Sequence, residues 1–223
     1  MKRQNIFQRI GIVFIFLLSN LNAFAFEEGI RIAWDYQTAK QVNNGVYARI
    51  HPIHNNQFSL VYSDGPDVWI RRSSDQCKTW DTRVLVHHED GYNNTNAELV
   101  TLANGWLVYA WNGRPMTENS VPYIIKTKIS KDNGNTWIEE RLIYSADNTF
   151  QNGCWEPSLL QLPTGEIQLY FANENPYRNN ADQEISMYRS FDNGLTWSDY
   201  TTVSYRAGHR DGMPVPVYLH NNK

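Results

Sequence analysis

Cysteine is almost absent from this chain. Its 223 residues include two, Cys77 and Cys154, too few for the disulfide framework that holds many small exported domains together. The repeat described below puts Cys77 in a peripheral turn and Cys154 beside the start of an inner strand of another unit. That separation is too large for a disulfide, which needs Cα atoms within about 7 Å, and neither residue has the surroundings of a catalytic or metal-binding thiol. A basic excess is also missing. The 20 Lys+Arg stand against 23 Asp+Glu, a formal charge of −3, which leaves no electrostatic footprint for nucleic acid. The six histidines, at 51, 54, 87, 88, 209 and 220, lack metal-site spacing apart from the adjacent pair His87-His88, so neither a metal nor a cofactor is expected. No convincing amphipathic helix follows the N-terminus, and the one long apolar run lies within it.

That run is Ile10 to Leu18, preceded by Lys2, Arg3 and Arg9 and followed by the small-x-small site Ala23-Phe24-Ala25. The pattern predicts a secretory signal peptide over 1–25 and a mature chain from Phe26, secreted or periplasmic. The run is shorter than the roughly 20 apolar residues that cross a bilayer, so no membrane span is expected in the mature chain; an uncleaved anchor is the alternative. The mature chain has 223 − 25 = 198 residues and a formal charge of 17 − 23 = −6, after three basic residues leave with the signal.

Against these absences stands one pattern that occurs three times, Ser-x-Asp-x-Gly-x-Thr-Trp. The copies are Ser73–Trp80, Ser130–Trp137 and Ser190–Trp197, with spacings of 130 − 73 = 57 and 190 − 130 = 60 residues. A fixed period of this size signals a repeat architecture in which each unit covers the apolar face of the next. Each copy is turn chemistry: the Asp carboxylate accepts backbone N–H groups ahead of it, Asn-Gly supplies positive φ, and the Trp opens the next strand. Asp75, Asp132 and Asp192 are therefore read as structural. The first copy puts Cys77 where the others have glycine, so either Cys77 takes that conformation with strain or the first turn differs slightly. Between the turns lie apolar strand, polar turn and apolar strand, at Arg49–Tyr62, Ala97–Tyr109 and Pro157–Tyr170. A third, alternating strand then runs into each Ser. Four strands per unit make a β-propeller blade, and the sequence from Met213 starts a fourth unit.

The three turns resemble the Asp-box repeat of the sialidase superfamily, and the resemblance covers nearly all of the mature chain. It implies an all-β, six-bladed β-propeller of the sialidase type, of which residues 26–223 supply about three to three and a half blades, the N-terminal part of a longer domain. Two activities go with the family. Sialidases remove terminal sialic acid with an Arg cluster, a Tyr/Glu pair and an Asp acid/base; exo-acting arabinanases release arabinobiose units with two Glu residues. Gly153-Cys154-Trp155-Glu156-Pro157 is similar to the Trp-Glu-Pro element that carries a catalytic Glu in the second group, and also to the sialidase Glu. Arg49 resembles the first sialidase Arg, and Asp64 and Asp67 lie where a sialidase keeps its acid/base Asp.

Propeller geometry gives a second route to these residues. Inner strands line a central channel, and the residues that open them converge at one mouth. The repeat alignment places Arg49, Asn96, Glu156 and Arg210 to Met213 at equivalent positions to within about one residue. Charged and amide groups there make a polar site, and glycoside hydrolysis needs two such groups across the scissile bond. The candidates are Glu156, Asp64 and Asp67 for catalysis, and Arg49, Asn96, Trp155, Arg210 and Asp211 for substrate binding. Each has a structural alternative. Glu156 and Arg49 would be ion pairs, Asp64 and Asp67 turn caps, Asn96 a backbone partner and Trp155 a core residue. The expectation is an exported, exo-acting glycoside hydrolase acting on an oligosaccharide or polysaccharide, inactive as this chain alone because its second catalytic group lies beyond Lys223. A non-catalytic propeller that binds glycans or protein is the alternative.

Overall fold

The computed structural model describes Ala33 and residues 35–219; the signal peptide read at 1–25 lies outside these residues. The chain divides into two compact units, 1–41 and 42–223. The described part of the first holds one turn of 3-10 helix, η1 (Tyr36–Thr38), whose N-cap Asp35 accepts the Gln37 N–H at 3.0 Å. No helix among the described residues is long and apolar enough to cross a membrane.

The second unit contains three four-stranded antiparallel sheets, each with its strands side by side in chain order. The first holds β1 (Val46–Ile53), β2 (Gln57–Asp64), β3 (Asp67–Ser73) and β4 (Val84–His87). The second holds β5 (Tyr92–Thr101), β6 (Leu107–Pro115), β7 (Ile124–Ser130) and β8 (Ile138–Ser145). The third holds β9 (Cys154–Gln161), β10 (Ile167–Asn173), β11 (Glu184–Ser190) and β12 (Thr201–Ser204). The repeat units of the sequence are thus the sheets of the structure. The described residues make three of them; residues 213–219, expected to begin a fourth inner strand, stand outside any sheet, and Arg210 makes an isolated parallel bridge to Gln183.

Two-residue alternation on β6 shows how the sheets join. Leu107, Tyr109 and Trp111 face the first sheet and meet Val61 and Ile70 there, alongside Ala97 and Leu99 of β5. Val108 and Ala110 face the third and meet Leu159, Leu169 and Phe171. A strand buried on both faces must be apolar at nearly every position, and β6 is so over Leu107–Trp111.

The repeated turns form as their chemistry requires. Each Ser Oγ donates to the Asp carboxylate at 2.7–2.9 Å and accepts an N–H four residues on, at 2.9 Å from Cys77, 2.8 Å from Gly134 and 2.8 Å from Gly194. Each Asp then accepts the N–H and hydroxyl of the Thr four residues on, the hydroxyl at 2.6 Å in all three. The Thr79 hydroxyl and amide hold Asp75 well below the usual carboxylate range. These bonds confirm the structural reading of the three aspartates. The tryptophans differ from expectation. Ile138 opens β8 directly after Trp137, whereas β4 and β12 begin four residues after Trp80 and Trp197. Cys77 does take φ 65°, and the neighbouring sheets explain why only this copy has a side chain there. A Cβ on Gly134 would lie 3.1 Å from Ile70 in the first sheet, and one on Gly194 would lie 3.3 Å from Val108 in the second. Each glycine turn presses on the preceding sheet. Among the described residues no sheet precedes the first.

Candidate functional site

The three inner strands share one irregularity. In β1, Tyr47 and Ala48 stand opposite Tyr62; in β5, Asn96 and Ala97 stand opposite Trp111; in β9, Glu156 and Pro157 stand opposite Phe171. Two residues against one is a β-bulge, a device that re-aims a side chain and is enriched beside active sites. The first residue of each bulge is left-handed, with φ 51° at Tyr47, 53° at Asn96 and 56° at Glu156, and Met213-Pro214 repeats the feature with φ 52° at Met213.

This register corrects the repeat alignment. Asn96 and Glu156 are equivalent as expected, but the first-sheet member is Tyr47. Arg49 lies two residues further on, level with Glu98 and Ser158, which pair with Ala110 and Tyr170 as Arg49 pairs with Val61. The cause is the first hairpin turn, which occupies 54–56 where the others occupy 102–106 and 162–166.

Glu156 is half-buried and accepts the Met213 N–H at 3.0 Å; no basic side chain pairs with it among the described residues. Asn96 is buried and accepts a hydrogen bond from Arg114 Nη2, whose Nε donates to Asn112 Oδ1 at 2.9 Å. The Arg114 guanidinium lies 5.0 Å over the Trp155 ring, linking the second mouth position to the third. Trp155 itself is buried between Tyr123 and Phe150, with ring centroids 4.8 and 5.1 Å away, and its N–H donates to Glu174 Oε1 at 2.8 Å. The same oxygen accepts from Arg210, which also donates to Gln183 Oε1 at 3.0 Å and to the Ala181 carbonyl at 3.1 Å. Arg210 is therefore an anchor for the segment carrying Met213. Asp211 turns to Ser204 Oγ at 2.6 Å and Arg206 Nη2 at 2.8 Å, which hold its carboxyl below the usual range. Asp64 pairs with Arg83, and Asp67 with His88 Nδ1 at 2.6 Å. Both partners flank or end β4, the strand farthest from β1 in that sheet.

A cleft of about 660 Å³ runs along β1, β5 and β9, lined by Arg49, His51, Glu98, Ser158, Gln161 and Pro214 among others. Its charges are an Arg49–Glu98 pair at 2.6 Å, with Arg49 also donating to the Ala97 carbonyl at 3.1 Å. His51 Nε2 lies 3.4 Å from the other Glu98 oxygen without hydrogen-bond alignment. Burial pushes Glu98 up to about 7 against the pull of Arg49, and burial with the Arg49 charge pushes His51 down to about 4. Folded Glu98 thus holds a proton between its ordinary 4.5 and about 7, where the unfolded chain does not. Its contribution to stability is full below 4.5 and is lost as pH rises through 7. Glu98→Gln is expected to be more stable than the parent by about 1–3 kcal/mol at pH 8, with the gain vanishing near pH 4.5, as read by urea unfolding at both values. His51 has the opposite sign, its contribution being lost as pH falls through about 4, and it cancels in the comparison.

The family model described as "BNR repeat-like domain" matches residues 105–221. The chain belongs to the BNR repeat-like family. No curated protein matches the sequence. Among solved structures, the BNR repeat-like chain is similar to the Fusarium graminearum α-L-arabinofuranosidase bound to an iminosugar inhibitor, with 20% identity, TM-score 0.64, and coverage of 80% of this chain and 54% of that one. It is similar to the Penicillium chrysogenum α-L-arabinanase complexed with arabinobiose, with 22% identity, TM-score 0.64, and coverage of 79% and 55%. A Hadza microbial sialidase matches with 14% identity, TM-score 0.55, and coverage of 68% and 36%. The chain spans about half the length of the first two. These neighbours share the fold, which is one that glycoside hydrolases use.

Sequence reasoning missed three charged residues that the BNR repeat-like chain places around the site. Arg114 and Glu174 lie at or just past the ends of β6 and β10, positions that match across the two sheets. Burial raises the Glu174 carboxyl against the pull of Arg210. Glu98, two residues past Asn96, was hidden inside a strand that reads as apolar. One cluster has metal-ligand geometry: His87, Glu89 and Glu140 bring ligand atoms within 4.8 Å of one another. Lys126 Nζ lies 2.6 Å from Glu89 and 2.8 Å from Glu140, and Lys128 Nζ lies 3.3 Å from Glu140 and from His87 Nδ1. Two ammonium groups already supply the cationic charge there, and the cluster ties β4 to β7 and β8.

Proposed function

We propose that this chain is part of an exported, exo-acting glycoside hydrolase of the sialidase superfamily that cuts terminal glycosidic bonds of arabinan-type or sialylated glycans, with Glu156 as a catalytic carboxylate. One observation carries the reading. Glu156 occupies a strained, left-handed position that glycine fills freely, and its carboxylate is matched by a single backbone N–H instead of a cation. Glu139 shares the left-handed backbone but is ion-paired with Arg141, so the missing cation is what sets Glu156 apart. The solved neighbours bind arabinobiose and an iminosugar inhibitor, which supports a carbohydrate substrate. Glycoside hydrolysis uses two carboxyl groups on either side of the bond. Asp64 already faces Arg83, Asp67 is hydrogen-bonded to His88, and Glu174 is buried against Trp155 and Arg210, so we place the second group in a further blade. Val215 and Val217, 80% and 69% exposed, support a domain in which another sheet covers them. The purified chain is therefore expected to show no turnover of arabinan or sialyllactose; release of arabinobiose or sialic acid at an enzymatic rate would overturn the incomplete-domain reading.

A further inference from the structure

One left-handed backbone conformation recurs at the bulges of three inner strands, Tyr47, Asn96 and Glu156, and again at Met213, with φ between 51° and 56°. Left-handed backbone is strained for tyrosine, glutamate and methionine and unstrained for glycine. This chain puts glycine where such a turn needs no side chain, as at Gly134 and Gly194, and puts none at these four positions. A side chain is retained there against the preference of the backbone. Packing and hydrogen bonding explain Asn96, which is buried and held by Arg114. They do not explain Tyr47, which is 47% exposed.

A series of contacts joins Asn96, Glu156 and Met213 and reaches Arg49, two residues after Tyr47. Arg49, two residues after Tyr47, donates to the Ala97 carbonyl beside Asn96; Arg114 joins Asn96 to Trp155; and Glu156, next to Trp155, accepts the Met213 N–H. Tyr47 therefore opens the first inner strand as Glu156 opens the third, at the same rim.

We propose that Tyr47 is a substrate-contacting residue whose phenol ring supports the apolar C–H face of a sugar unit held at this rim. A tyrosine suits that role because it offers a rigid apolar face and a polar edge that water or a sugar hydroxyl satisfies. The inference rests on the glycoside-binding reading of the Glu156 rim and adds the specificity contact on the opposite side of Asn96. The ligand class is a terminal neutral sugar unit such as the arabinose of arabinobiose. A ring face discriminates by shape and C–H display instead of charge, so the contact favours such a unit over a carboxylated one.

The test is a calorimetric titration of the purified chain and of Tyr47→Gly, Tyr47→Phe and Glu156→Gln with arabinobiose and with N-acetylneuraminic acid, alongside thermal unfolding. Glycine relieves the backbone strain, so Tyr47→Gly is expected to keep or raise Tm, by up to about 2–4 °C. Its affinity for arabinobiose is expected to fall at least tenfold, with Tyr47→Phe within about twofold of the parent, an aromatic platform contributing on that order. Parent-like binding by Tyr47→Gly, with the parent and Glu156→Gln both binding arabinobiose, overturns the Tyr47 inference and leaves the rim reading standing. A lower Tm for Tyr47→Gly also overturns it, since the ring would then be a packing element. Failure of the parent to bind either sugar overturns both the inference and the reading beneath it.

Discussion

Glu156→Gln, made in the complete and active domain, is expected to lower kcat by about 10²–10⁴-fold, the usual contribution of a positioned proton-transfer group or nucleophile, while sugar affinity stays within a few-fold. Glutamine has nearly the same shape, keeps an oxygen for the Met213 N–H now accepted at 3.0 Å, and adopts the left-handed bulge with the same strain. What it removes is the negative charge that an oxocarbenium-like transition state needs beside it. Turnover and sugar Kd measured side by side separate the two functional readings. Loss of both would describe a misfolded rim, and retention of both would describe a glycan-binding propeller in which Glu156 is structural.

The largest effect on stability is expected at Trp111. Its side chain is fully buried opposite the Asn96-Ala97 bulge, its N–H donates to Asn94 Oδ1 at 3.0 Å, and the His87 ring lies 4.5 Å away. Trp111→Ala removes an aromatic plug from the layer between the first and second sheets and leaves Asn94 without its donor. A loss of about 3–5 kcal/mol follows from comparable truncations, equivalent to a fall in Tm of about 10 °C in a chain of this size. Thermal unfolding followed by far-UV circular dichroism reads it directly. A fall smaller than about 3 °C would show that the bulge is held from elsewhere.

Much of the fold is legible from three short turns. Ser, Asp and Thr at fixed offsets close the same hydrogen-bonded loop each time, so the pattern marks both the strand ends and the period. The unbroken apolar run Leu107–Trp111 likewise announces a strand buried on both faces. Register is less legible, because a bulge adds one residue that two-residue counting does not see. Such counting aligns Arg49 with Asn96 and passes over Tyr47, the true equivalent. Glu156 and Asn96 stand at matching bulges near the starts of β9 and β5. Trp155 lies in the core, Arg210 and Asp211 serve as anchors, and Asp64 and Asp67 face partners at β4. Those assignments depend on side-chain partners distant in sequence, such as Glu174, which is 36 residues from Arg210. No local pattern encodes them. The left-handed φ of Glu156 also has no sequence signal, apart from the recurrence of a following proline in Glu156-Pro157 and Met213-Pro214.

The fit of Gly134 against Ile70, and of Gly194 against Val108, runs one way along the chain. Each loop latches onto the layer made before it. During synthesis, a new blade therefore arrives carrying its own fastener, and the surface that receives it has already emerged. Assembly from the N-terminal side has a built-in direction, and a sheet that lost its latch would leave the layers behind it assembled and those ahead of it adrift.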